Sequence, residues 1–347
     1  MFILISILLF GALIAVHEFG HFITAKLFGV KVHEFAIGMG PLLLKKQGAE
    51  TLYSLRLFPI GGYCAMEGED GESDDPRSLG AQHPIKKIII LAAGATMNFL
   101  FGLLLLLFVF HYSAPQTNVI TDFMEGCPYE GEQALQVGDE FWEIDGKRVR
   151  VTGDVGLLLG KNGTVHDVTV RRDGELVTLE DFELKLLEYD EVEVPRYGFY
   201  FGDRADSLGE TLRYTWNYAL NFGSLVWQSL ASLVSGEYGV KDLSGVVGVV
   251  DIMNDVGQQA PTFFEGFLNL CYFAAFVAVN LAVMNLLPIP ALDGGRIFCL
   301  LVLWPVEKII GHKVDPKYEA YIHSAGMFLL LALMAYVMFN DVIRLLR

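Results

Sequence analysis

His17-Glu18-Phe19-Gly20-His21 lies inside an apolar run that opens at Met1 and continues to about Val30. On a helix, His17 and His21 stand four residues apart, so their imidazoles emerge one turn apart on the same face and can grip one ion. Glu18 falls beside that face. It is within reach of a water on the metal but badly turned to ligate it, which suits the general base of a zinc hydrolase. A five-residue H-E-x-x-H pattern also arises by chance, and a helical His is often only a satisfied polar group. The apolar surroundings weigh against that reading, because a charged residue near mid-bilayer costs roughly 2.5–3.5 kcal/mol on insertion scales and is retained for function.

Two imidazoles leave a tetrahedral zinc short of a ligand, since a catalytic site takes a third protein group and keeps an open position. The candidate is Asp293, in Asn285-Leu-Leu-Pro288-Ile-Pro290-Ala-Leu-Asp293-Gly-Gly295, again at the end of a long apolar run. Pro288 and Pro290 remove two backbone donors and the paired glycines allow tight turns. A helix broken at membrane depth is tolerated only where it lines a cavity or is buried in protein. The plain alternative is an Asp that caps the following helix.

Composition gives the class independently. With 347 residues, 53% of them hydrophobic, a mean hydropathy of +0.41 and a net charge of −16, the chain is too apolar for an ordinary soluble protein yet must house much charge. Between Pro115 and Ala205 stand 20 acidic and 9 basic residues, so most of the excess belongs to one soluble module. That acidity, with no basic stripe elsewhere, excludes nucleic acid as a partner. The cysteines, Cys64, Cys127, Cys271 and Cys299, have neither metal-ligand spacing nor a disulfide framework and read as free thiols.

The first apolar run has no positive n-region and no small-residue cleavage site, so it reads as a retained span entering from outside. Lys26, Lys31, Lys45, Lys46, Arg56, Arg77, Lys86 and Lys87 follow it and mark the cytoplasmic side. Val32 to about Tyr63, punctuated by Gly38, Gly40, Pro41, Gly48 and Pro59, reads as a small β-hairpin or sheet, with a plain loop as the alternative. Glu67 to Pro84 is polar and loop-rich. Ile88 to Phe110 is an uncharged second span. Its Gly94-x-x-x-Asn98-x-x-x-Gly102 spacing predicts close helix packing, with a site role for Asn98 as the lesser reading.

Glu132 to Val149 predicts a short helix, a turn, a strand, an Asp145-Gly146 turn and a strand; Val165–Val170 and Leu176–Leu184 add strands about Asp173-Gly174. His166 reads as an exposed strand residue. Asp206–Ser235 has helical, aromatic texture suited to a membrane surface, and Leu243–Asn254 reads as loop plus short helix. Phe263–Leu287 and Ser324–Phe339 are the third and fourth spans, with Arg296, Lys308, Lys313 and Lys317 on the cytoplasmic side between them. His33, His83, His111, His312 and His323 lack partners at ligand spacing.

The two distant motifs together, in this order and membrane setting, resemble the site-2 protease family of intramembrane zinc metalloproteases, of the bacterial RseP/RasP type. The resemblance covers nearly the whole chain. It implies one Zn2+ held by His17, His21 and Asp293, water activation by Glu18, and substrate positioning by Asn285, Pro288 and Pro290. It also implies a membrane-associated β-loop beside the zinc, whose free edge pairs with unwound substrate. The 132–149 stretch is similar to the core of a PDZ domain, with Ala134 where the family has a small glycine.

The expected fold is a polytopic α-helical membrane protein of about four transmembrane helices, with a membrane-associated β-loop and one inserted PDZ-like α+β domain. Its parts are an N-terminal membrane half (1–112), an extracytoplasmic PDZ-like domain (113–205) and a C-terminal membrane half (206–347). The expected function is intramembrane cleavage of single-span proteins or peptides already trimmed by an upstream site-1-type protease, such as anti-sigma factors or signal-peptide remnants. The expected location is the bacterial cytoplasmic membrane, with the N-terminus and the PDZ-like domain outside and the zinc towards the cytoplasm. A zinc-binding scaffold without turnover is one alternative. A transporter, which would show paired half-chain repeats, is another.

Overall fold

The computed structural model describes residues 1–69, 73–160, 163–189, 192–202, 207–236, 245–312 and 316–345. Ala205, Asp206, Lys313 and the start of the stretch at Leu243, all used in the sequence reading, lie outside these. The chain divides into two compact units, one of Met1–Leu106 with Phe222–Arg347 and one of Leu107–Asn221.

In the first unit, α1 (Phe2–Leu27) leads into a long hairpin, β1 (Val32–Gln47) and β2 (Leu52–Met66), and then α2 (Pro84–Tyr112). After α4 (Leu208–Ser235) come α5 (Val246–Gln258), α6 (Phe263–Asn285), α7 (Asp293–Ile310) and α8 (Pro316–Leu345). Four helices are long and apolar enough to cross a membrane among the described residues: Phe2–Leu27, Pro84–Tyr112, Phe263–Asn285 and Tyr321–Asn340. The chain is therefore a polytopic membrane protein, and these spans match the four expected from the sequence. The helix after Leu243 begins at Val246 and runs to Gln258, longer than the short helix expected.

Small residues determine how closely these helices approach. A Cβ added at Gly20 would run into the Ala93 carbonyl, so α1 and α2 cross nearly backbone to backbone. Gly102 performs the same service between α2 and α6, where an added Cβ would stand 2.9 Å from Val279 and 3.3 Å from Ala278. Met253, Leu270 and Ala274, with Phe2 and Leu9 against them, form the core joining α1, α5 and α6.

The hairpin is antiparallel, with Val32 opposite Met66 and Gln47 opposite Leu52. Glu34–Ile37 lie beside Gly62–Ala65 and also beside Leu52–Leu55, so this stretch is paired on both sides. Its inner end is anchored by Val32, Phe35, Cys64 and Met66, which pack with Ala25, Val30, Leu79 and Ile90. Its outer part exposes Met39, Leu42, Leu43, Leu44, Leu57 and Phe58.

The second unit has a four-stranded antiparallel sheet in the order β5-β4-β6-β7, built from β4 (Glu140–Ile144), β5 (Lys147–Arg148), β6 (Val165–Arg172) and β7 (Glu175–Glu183). The helix α3 (Thr152–Leu159) contributes Val155 and Leu159 to a core with Phe141, Ile144, Val168 and Val170. Two small pairs complete it, β3 (Ile120–Phe123) with β10 (Phe199–Phe201) and β8 (Leu187–Tyr189) with β9 (Val192–Arg196).

Two sequence expectations fail here. The stretch from Glu132 folds as turns and not a helix, because the Asp139 carboxylate takes the Gln136 N–H at 2.8 Å and Leu135 N–H bonds back to the Tyr129 carbonyl. His166 is buried, because strand alternation aligns it with Val168 and Val170 on the core face. Its ring nitrogens meet Asp145 Oδ2 at 2.9 Å and the Gly163 carbonyl at 3.2 Å, which satisfies them away from water.

Asp139 is fully buried and held by two Arg172 nitrogens at 2.8 and 2.7 Å. Breaking such a pair on one side typically costs about 3–5 kcal/mol. Asp139→Ala should therefore lower the protection of the Val168 and Val170 amides in hydrogen exchange by a corresponding factor, with the membrane helices unaffected.

Candidate metal centre

The helix α1 carries His17, Glu18 and His21 on two adjacent faces, and α2 crosses it where Gly94 lies over the imidazoles. A Cβ at Gly94 would stand 2.7 and 2.8 Å from His17 ring atoms and closer still to His21 Nε2. Glycine at this position is what leaves room for the histidines. His21 Nδ1 donates to the Ile90 carbonyl at 2.9 Å, which fixes the tautomer and leaves Nε2 bare.

The third group arrives by way of a broken helix. The helix α6 stops at Asn285, and the Leu286–Leu292 stretch turns the chain before α7 opens at Asp293. Ala291 has a positive φ of 75°, an uncommon conformation for a residue with a Cβ. Its N–H donates to His323 Nδ1 at 3.1 Å, so a histidine with no ligand-spaced partner in sequence has a structural one. Gly294 and Gly295 are buried against the backbone of Leu286–Pro290, where any side chain would collide. Gly326 of α8 closes on Pro290 in the same way. Asp293 is the first residue of α7, but the N-cap is Leu292 and no side chain caps the helix, so the structure does not bear out the capping alternative.

His17, His21 and Asp293 come together. The two Nε2 atoms are 3.1 Å apart, and Asp293 Oδ2 is 3.2 Å from that of His17 and 3.4 Å from that of His21. Donors around a tetrahedral zinc with bonds of roughly 2.0–2.1 Å are about 3.3 Å apart, so this triangle fits one face of such a tetrahedron. Among the described residues it is the one such group able to hold a metal ion. Glu18 does not join the triangle. It lines the same cavity, of about 220 Å³, with Cys64, Met66, Glu69, Leu91, Asn285, Ala291 and Leu292. Burial pushes the Cys64 thiol up to about 12, so it forms a neutral wall.

Gly62 to Met66 flank this cavity, and a side chain at Gly62 would approach Glu18 Cγ to 3.5 Å. Pro288 is exposed and Pro290 is half-buried under α8, so the two prolines shape the turn from different sides. Asn285 points its amide at His17 Nδ1 at 3.4 Å. Asn98 does the same from α2 at 3.4 Å, so the packing role given to it by spacing alone understates it. Sequence reasoning also missed the ion pair of Arg296 with Glu69 at 2.8 Å, which ties the first turn of α7 to the loop after β2. No spacing signal joins those two residues.

Gly94→Ala should force the imidazoles apart and sharply lower the divalent metal retained per chain. Gly102→Ala, which meets only apolar neighbours and a helix backbone, should leave it unchanged. Metal analysis of the two purified variants reads the difference.

The profile of peptidase family M50 matches residues 5–333. A protein of Clostridium perfringens named as a zinc metalloprotease is 37% identical over 353 residues, covering 99% of each chain. One of the same name from Clostridium acetobutylicum is 34% identical over 98% of this chain and 97% of its own. The regulator of sigma-W protease RasP of Bacillus subtilis is 26% identical over 98% of this chain and 97% of its own. The chain belongs to peptidase family M50, the site-2 protease family of metalloproteases.

Proposed function

We propose that this chain hydrolyses peptide bonds within transmembrane segments, using one zinc ion held by His17, His21 and Asp293. The observation that carries the reading is the convergence of three donor atoms 3.1–3.4 Å apart from helices far separated in sequence, with Glu18 on the same cavity. When bound, zinc polarises the scissile carbonyl and acidifies the attacking water. Glu18 takes the proton from that water and later returns it to the leaving amine. The protein around it packs closely, since Gly20, Gly94, Gly294 and Gly295 let backbone approach the neighbouring backbone and imidazoles.

A peptide bond in a helix already has its hydrogen bonds made, so the substrate must unwind to be cut. Asn285, with Pro288 and Pro290 shaping the turn beside it, is suited to hold the unwound chain. The Gly62–Met66 edge offers backbone donors and acceptors for an added strand. The exposed leucines of the hairpin suit a β-loop lying in lipid, and in water they would form a sticky edge.

The parts are read as two membrane halves (1–112 and 206–347) around a PDZ-like domain (113–205). The basic residues that follow the first and third spans support an orientation with the N-terminus and the acidic domain outside the bacterial cytoplasmic membrane and the zinc towards the cytoplasm. Substrates are single-span proteins or peptides already shortened by an upstream site-1-type protease. The Bacillus relative, named as a regulator of sigma-W, supports anti-sigma factors among them. The acidic domain serves as a size filter that also disfavours acidic stubs. A zinc scaffold without turnover does not explain a carboxylate on the metal cavity, and among the described residues the element order has no paired half-chain repeat of the kind a transporter would use.

Glu18→Gln should retain zinc and fold while cleavage of a membrane substrate disappears, whereas Asp293→Ala should lose most of its zinc. Near-normal cleavage by the first, or parental zinc content in the second, rejects the assignment.

Replacing residues 115–205 with a flexible linker should leave zinc intact and admit untrimmed substrates. If that variant still cuts trimmed substrate but refuses every untrimmed one, the filter is wrong. If it cuts neither, the domain acts as a peptide-triggered switch.

A further inference from the structure

The two metal-facing histidines are not held alike. His21 has a backbone carbonyl on Nδ1, so its proton sits there and its Nε2 lone pair is available to an ion. His17 has no such carbonyl among the described residues. Its Nδ1 faces two side-chain amides, Asn98 and Asn285, each with Nδ2 at 3.4 Å.

That arrangement has one donor too many. A bare imidazole nitrogen has a single lone pair, and two amide N–H groups aimed at it cannot both be served. It would also leave the proton of neutral His17 on Nε2, the atom that meets Asp293 and His21. A metal-binding His17 needs the opposite tautomer, with Nδ1–H donating to an oxygen.

The amide of Asn98 can supply that oxygen. Asn98 is 1% exposed, and its Oδ1 has no hydrogen-bond partner among the described residues. Oxygen and nitrogen of an amide exchange positions on a half-turn of the side chain. After that turn, Oδ1 of Asn98 lies where Nδ2 now lies and accepts from His17 Nδ1–H. One end of this amide is unpartnered either way, but only the turned one is compatible with a bare Nε2. Asn285 differs: it is half-buried and lines the cavity, so its amide is open to substrate.

We infer that Asn98, seated on α2 one turn beyond Gly94, is the positioning residue that orients His17 for zinc by accepting its Nδ1–H, which leaves Asn285 to the substrate. The inference rests on the zinc reading above and specifies how its first ligand is held.

The test measures zinc affinity of the full-length enzyme in detergent by chelator competition, with the visible spectrum of the cobalt(II)-loaded protein as a second readout. Loss of such an outer partner typically weakens metal binding roughly 10–100-fold. Asn98→Ala and Asn98→Leu should both show that loss and a changed cobalt spectrum. Asn98→Asp, whose carboxylate also accepts, should restore affinity to within a few-fold. Asn285→Ala should keep parental zinc affinity and cobalt spectrum while raising KM or lowering kcat.

Asn98→Ala or Asn98→Leu with parental affinity and spectrum overturns the assignment. So does a folded Asn98→Asp as weak as Asn98→Ala, which would make Asn98 a packing residue, or an Asn285→Ala variant that loses zinc in its place. A parent that binds neither zinc nor cobalt overturns the zinc reading itself, which separates the two failures.

Discussion

The close crossing of α1 over α2 is the constraint on which the site depends. Gly20 meets the Ala93 carbonyl, and one residue later Gly94 meets the imidazoles of His17 and His21. Backbone proximity and ligand orientation therefore come from the same turn of α2. With the Ile90 carbonyl on His21 and the Asn98 amide near His17, that helix serves both histidines while contributing no member of the triangle. In an apolar surrounding such polar neighbours are costly to leave unmatched, so the crossing is confined to geometries that satisfy them.

The other half of the site depends on a break. The helix α6 ends where Asn285 reaches His17, and the next helix opens with Asp293. Between them the backbone cannot hydrogen-bond as a helix, and its groups are taken up locally: Ile289 N–H by Leu287, Leu292 N–H by Ile289 and Ala291 N–H by His323. The glycine pair lets the first turn of α7 rest directly on that stretch. The proline, glycine and histidine positions act as one seat for a carboxylate.

Much of this was legible in the sequence because the bilayer narrows the options. Apolar runs of span length announced the four long helices, and ionisable residues inside the first and in the broken stretch after the third pointed to His17, Glu18, His21 and Asp293, which line one cavity. Period and punctuation also gave the β character of Val32 to about Tyr63, where the structure has strands to Met66. What stayed illegible depended on partners distant in sequence. His166 looked exposed because alternation alone does not say which face of a strand is inward, and Asp145 is what made burial acceptable. Asn98 looked like helix packing because its glycine spacing was real, and Gly102 does pack, but the distance to His17 is a tertiary fact. The turns before Asp139 defeated a helical reading because one buried carboxylate captured a backbone donor.

The order of the donors along the chain has a consequence for biosynthesis. Both imidazoles belong to α1, whereas the carboxylate of the triangle comes after α6. During synthesis the growing chain thus carries two donors long before it carries the third. A nascent or C-terminally truncated chain has half-built chemistry beside freshly inserted neighbours in the membrane. The arrangement works as a built-in delay, in which the three donors can meet only after α6 and the turn that follows it have been made.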